Sequence, residues 1–188
     1  MYNTSTARAA AESMVARWQA ELGKEIEVVL SGSLCSGLFI WDQRTAAIDV
    51  DVKFLVDEAS VLANANHERI ERVTGLKLRK QITVRNEPDE SPSVGLLFEG
   101  RFDVPGVSIP LEVDGCLRNR RYASWARLYP RVFSAAELHE LRLTKAQLKA
   151  SGNQLAYKKY KAWIRQEADA RIVARGLASY PISPSACH

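Results

Sequence analysis

The sequence predicts an α+β fold: a small mixed or antiparallel sheet with flanking helices, followed by a helical C-terminal segment. Residues 47–56 (AIDVDVKFLV) alternate apolar and polar side chains over a full strand length. Runs at 75–86, 93–98 and 107–116 repeat strand patterning without the strict helix alternation of a doubly wound sheet. From Tyr122 onward, apolar residues recur at helical intervals.

Each element has its own signal. Residues 5–22 place Ala9, Met14, Val15, Trp18 and Leu22 roughly on one helical stripe, with Gly23 as a stop. Residues 25–30 (EIEVVL) read as a strand that ends in Ser31-Gly32-Ser33. Residues 34–41 (LCSGLFIW) predict a short buried helix, and 42–45 a polar turn. In the strand at 47–56, Ile48, Val50 and Val52 share one face, and Asp49, Asp51 and Lys53 the other. Residues 58–73 read as a helix, and 86–93 as a Pro/Ser/Asp-rich loop. Beyond the last strand, helices are expected near 122–129, 134–149 and 153–176.

Composition bounds the class. The 188 residues suffice for one domain, or one with a small appendage, and for a core without disulfides. At 46% hydrophobic and 26% charged the chain has an ordinary globular composition. Its apolar runs are too short to span a membrane, and its first residues lack an apolar signal core. Three widely spaced cysteines, Cys35, Cys116 and Cys187, suit a reduced, cytoplasmic protein. The net charge of +4 hides an asymmetry. Residues 1–116 hold 12 Lys+Arg against 18 Asp+Glu, net −6, whereas 117–188 hold 14 against 4, net +10. The expected layout is an α+β core over 1–116 with a basic helical segment, 117–188, packed on it. Two solvated faces, or an acidic metal site beside a basic phosphate surface, both accommodate that split.

Three pieces carry chemistry. Gly32-Ser33 follows an apolar strand at a helix start, where backbone N–H groups and a hydroxyl favour an anion. Asp49 and Asp51 lie on one strand face about 7 Å apart along the chain, so a cation or water has to relieve them. Mg²⁺, bound through carboxylates and substrate phosphates, suits such a pair. Glu112 and Asp114 share a face on a later strand, opposite Leu111 and Val113. If the two strands are neighbours, their carboxylates converge, as a two-metal site requires.

Together, Leu30-Ser-Gly32-Ser33, Ile48-Asp49-Val50-Asp51-Val52 and Leu111-Glu112-Val113-Asp114 resemble the DNA polymerase β-type nucleotidyltransferase superfamily over roughly residues 25–115. The departures are the absence of Arg after Gly32-Ser33, and Ile48 where small bacterial members carry Ser. The resemblance implies in-line transfer of a nucleotidyl unit from an NTP, ATP first among them, to a hydroxyl on a small molecule, protein or RNA. Gly32 and Ser33 would hold the β- and γ-phosphates. Asp49 and Asp51 would bind Mg²⁺ (or Mn²⁺). Glu112 or Asp114 would complete the second metal site and help deprotonate the acceptor.

Other motifs fail. Gly32–Gly37 has P-loop spacing, but Leu38 and Phe39 replace its Lys and Ser/Thr. There is no G-x-S-x-G elbow and no C-x-x-C, and His67 and His139 lack metal-ligand spacing. The basic half offers Arg118, Arg120 and Arg121 directly after the acidic strand, and arginine grips phosphate bidentately. Lys158, Lys161 and Arg165 share a helix face suited to a triphosphate, an anionic acceptor or RNA, and Lys158 joins the arginines as an expected phosphate contact. Tyr160, Trp163 and Ile164 read as a core-facing stripe. Two alternatives remain: a catalytically inactive binding or regulatory module of this fold, and a basic nucleic-acid-binding protein.

Overall fold

The computed structural model describes residues 4–40, 46–84, 93–120 and 132–177. Helix α1 spans Thr4–Leu22 and buries Ala7, Ala11, Met14, Val15, Trp18 and Leu22 at three- and four-residue spacing. Ala9, expected on that stripe, is exposed; Ala7 and Ala11 take its place. Gly23 ends the helix, its N–H donating to the Gln19 carbonyl at 3.0 Å. The Gln19 amide then stitches α1 to the next strand, donating to Gly23 O at 2.6 Å and accepting from Val28 N–H at 2.7 Å.

Strand β1 (Glu27–Ser31) leads into α2 (Gly32–Cys35), which starts at the glycine itself rather than at Leu34. Strand β2 runs Ile48–Val56 as its alternation predicts. The helix expected at 58–73 is broken: a 3₁₀ turn at Glu58–Ser60 precedes α3 (Asn64–Thr74). Ser60 O accepts the Ala63 N–H and the Asn66 side chain, which leaves Ala63 extended at ψ 119°. Strands β3 (Lys77–Val84), β4 (Ser93–Phe102) and β5 (Leu111–Asn119) complete the sheet. Strand β5 begins four residues later than Val107. Residues 104–107 turn, Val107 N–H donating to Val104 O at 3.1 Å, and Pro110 has no N–H to give a ladder. It also continues to Asn119, so the basic segment opens inside a sheet strand. The helices are α4 (Ala135–Ala150) and α5 (Gln154–Ala174). The expected helix at 122–129, the turn at 42–45, most of the loop at 86–93, and Cys187 lie outside the described residues.

The sheet order is β1-β2-β5-β4-β3. Among the described residues, β2 and β5 pair in parallel and the other three pairings are antiparallel. The sheet is therefore mixed, within an α+β architecture. Its apolar face packs on α1 and α3. Trp18 is fully buried there, its ring centroid 6.3 Å from Phe54 and 5.9 Å from Phe102. Gly115 makes room for these rings, since a Cβ on it would lie 2.8 Å from Phe54 Cε2.

A second apolar cluster joins Leu38, just past α2, to Val132, Phe133, Leu141, Ile164, Ala168 and Ile172 of the helical end. Its helices are capped by their own side chains. Ser134 and Glu137 form a reciprocal capping box on α4, and Asn153 accepts from Ala156 N–H at 3.0 Å on α5. Arg171 on α5 ties the two helices together through Glu137 of α4 at 2.7 Å, and Glu167 of its own helix holds the guanidinium at 2.9 Å. Among the described residues, no helix is long and apolar enough to cross a membrane.

Candidate active site

The site forms where the polar face of β2 meets the turn after β1 and the two C-terminal helices. Its backbone is set by Gly32. This residue has φ +72°, and a Cβ there would collide with the Asp51 carboxylate, lying only 2.8 Å even from Asp51 Cβ. Glycine alone lets the turn close on that side chain. Ser31, opposite Asp51 in the β1–β2 ladder, donates its hydroxyl to Asp51 O at 3.3 Å. Ser36 donates to Ser33 O at 3.4 Å and tightens α2.

These residues border a cavity of about 310 Å³, within the range of small-ligand sites. Asp49 and Asp51 form its acidic wall; Gly32 and Ser33 form one end. Lys53, Arg118, Lys145, Lys161 and Arg165 supply its cations. Ile164, buried in the second cluster, anchors the turn of α5 from which Lys161 and Arg165 project. Lys145 is only 5% exposed, and its Nζ donates to Leu38 O at 2.7 Å.

Electrostatics follow from this crowding. Burial, then the charges of Asp51 and Asp114, hold the Asp49 carboxyl above the ordinary range, with Lys161 pulling the other way. Burial, then Asp51, Glu112 and Glu99, raise Asp114, while Arg79 opposes them. Burial, then Lys161 and Lys149, push Lys145 down to about 8, against the pull of Asp49 and Asp51. Cys35, at the cavity wall, is raised by burial and enters as a neutral thiol.

The parallel register sets Asp49 opposite Glu112 and Asp51 opposite Asp114. All four acids therefore share one sheet face. Only the β2 pair lines the cavity; Glu112 and Asp114 stand exposed beside it. Among the described residues, no three acidic, histidine or cysteine side chains converge as a metal cage.

No protein-family model matches the sequence, and no curated protein is similar enough to match it. Solved structures do align. One is a cytoplasmic RNA terminal U-transferase, at 17% identity and TM-score 0.40 over 78% of this chain and 39% of its own. A second is terminal uridylyl transferase 4 from Trypanosoma brucei, at 12% identity and TM-score 0.41 over 96% of this chain and 59% of that one. A third is the CdnE cyclic dinucleotide synthase of Elizabethkingia meningoseptica, at 12% identity and TM-score 0.31 over 92% and 62%. The chain spans less than two thirds of the length of each.

Of the residues expected from sequence, Gly32, Ser33, Asp49, Asp51 and Arg118 meet at the cavity. Arg120 does not. Its guanidinium donates to the carbonyls of Lys24 at 3.2 Å and Glu25 at 2.9 Å, holding the α1–β1 turn. Lys158 lies one turn before Lys161 and outside the cavity wall. Arg121 is outside the described residues. Lys53, Lys145, Lys161 and Arg165 complete the wall. Lys145 had a signal: it interrupts the apolar stripe of Leu138, Leu141 and Leu148, and a lysine on a buried stripe has to meet something polar.

Proposed function

We propose that this protein transfers a nucleotidyl unit from an NTP to a hydroxyl acceptor. The observation that carries the reading is Gly32, whose left-handed backbone and missing Cβ close the turn against Asp51 within a cation-rich cavity. A divalent cation fits the donors present. Asp49 and Asp51 are two crowded carboxylates on one face, and Mg²⁺ typically takes one or two carboxylates and completes its shell with water and phosphate oxygens. When bound, that ion supplies neutralisation of phosphate charge and activation of the attacking oxygen.

The chain's own residues do the rest. Backbone N–H groups at Gly32 and Ser33, with the Ser33 hydroxyl, receive the β- and γ-phosphates. Lys145, Lys161 and Arg165 balance the charge of the leaving pyrophosphate. The acceptor oxygen bonds to the α-phosphorus as the bond to the bridging oxygen breaks. Asp114 takes the acceptor proton; it stands opposite Asp51 in register, and its raised carboxyl favours proton uptake.

The test is thermal unfolding with each of the four NTPs, with and without Mg²⁺. At about 100 times Kd the matching NTP raises Tm by about 5–10 °C with Mg²⁺, and Asp51→Asn abolishes the shift. Equal stabilisation of the variant, or a shift indifferent to Mg²⁺, refutes the proposal. Mg²⁺-dependent binding without label transfer to any acceptor would assign the chain to the inactive binding module instead.

A further inference from the structure

Helix α5 is apolar on two sides. Ile164, Ala168 and Ile172 are buried in the second cluster. Leu155, Trp163, Ala170 and Val173 fall on the opposite side, within about 80° of one another at 3.6 residues per turn, and all four are exposed. Helix α4 repeats the arrangement: Leu138 and Leu141 pack into the cluster, while Leu143 lies on the opposite side, 45% exposed. Trp163, which its spacing sets on a core-facing stripe, instead stacks on Tyr160 with ring centroids 5.5 Å apart and stays 47% exposed. Its ring walls a groove of about 570 Å³ between the helices, together with Phe133, Leu141, Glu140 and Glu167. A helix that is apolar on both sides is one with a partner on both sides.

The charges around this face say what covers it. The helices form a hairpin closed by the turn at 151–153. At the open end, Glu137, Glu140 and Glu167 outnumber Arg171. Lys149, Lys158 and Lys159 stand exposed at the closed end. A uniformly basic or acidic partner meets its own sign at one end. A second copy turned by a two-fold axis across the hairpin lays basic on acidic at both. The helices, of 16 and 21 residues, are about 24 and 32 Å long and together about 20 Å wide. Such a face buries about 1,000–1,200 Å² over two copies, which reaches the size of a specific interface. Lys161 and Arg165 leave α5 on the far side, toward the candidate active site, so that cavity stays open.

We infer that this face pairs two copies of the chain, the α4–α5 hairpins packing antiparallel as a four-helix bundle. Leu143, Leu155 and Trp163 form its core, and Glu140 of one copy meets Lys159 of the other. The pairing is independent of the transferase reading.

The test is sedimentation velocity of the full chain over about 1 to 100 μM, the weak end of the affinities such interfaces reach. Wild type moves from the monomer mass toward the dimer mass. L155E/W163E stays monomeric throughout, with a Tm within about 2 °C of wild type, as for exposed sites. L155E alone, at the most exposed of these positions, weakens association at least about tenfold and guards against a folding artefact. L62E, at an exposed leucine outside the hairpin, associates as wild type. E140K and K159E each weaken association about tenfold by setting like charges together, and E140K/K159E in one chain restores it. A monomer at every concentration, a dimer indifferent to L155E/W163E, equal loss in L62E, or no recovery in the double charge exchange overturns the inference.

Discussion

At Gly32 the backbone sits at φ +72°, and any side chain would invade the Asp51 carboxylate. Gly32→Ala therefore combines backbone strain with displacement of Asp51. We expect a loss of about 1–3 kcal/mol in urea unfolding, together with loss of NTP-dependent stabilisation. A variant of unchanged stability would show that the turn has another way to close. Gly32, Ser33, Asp49 and Asp51 were legible in the sequence because strand alternation and a glycine after a strand are local signals. The choice among Lys158, Lys161 and Arg165 was not. All three share a helix face, and only the docking of α5 through Ile164 brings the latter two to the cavity and leaves Lys158 a turn away.

Strand β5 shows what an element inherits from its neighbours. Its start was misplaced by four residues because Val107 and Ile109 mimic alternation, while the Val104–Val107 turn and Pro110 prevent pairing there. Its parallel pairing with β2, which puts Asp114 opposite Asp51, is a tertiary choice with no local signature. Beneath it, Gly115 lies against Phe54 and Leu76, where a Cβ would approach to 2.8 and 3.1 Å. Gly115→Val should overpack this layer and cost about 1–3 kcal/mol in urea unfolding. A cost within experimental error would mean that Phe54 and Leu76 can move aside. The break in the helix at 58–73 is local but carries no capping signature: Ser60 O takes the Ala63 N–H and the Asn66 amide, and Ala63 at the start of α3 has no capping side chain.

Across the whole molecule, the charge asymmetry becomes two opposed walls, carboxylates on the sheet and mostly cations from the helices. Lys145 lies in the cavity wall, its Nζ fixed to the carbonyl of Leu38 in the second apolar cluster. Its pKa falls from the ordinary lysine value of 10.5 to about 8 on folding. Between those values the unfolded chain binds a proton that the folded chain has released, so stability rises with pH; below about 8 the full cost of burying the charge remains. In metal-free buffer the stability difference between wild type and Lys145→Met should shift in favour of wild type by on the order of 2–3 kcal/mol from pH 8 to 10.5. A difference independent of pH in urea titrations would show that the amine is not held in this way.

The single parallel pairing in the sheet also constrains how the molecule comes into being. Strands β2 and β5 meet only after the intervening α3, β3 and β4 have been routed past them, a contact of long sequence separation. Such contacts carry a large loop-closure entropy and form slowly. We expect the Asp51–Asp114 juxtaposition to form after the local β3–β4 hairpin, and the β2 edge that pairs with β5 stays open in a nascent chain until β5 has been synthesised. The pairing that brings Asp51 and Asp114 together is the same one that covers the β2 edge.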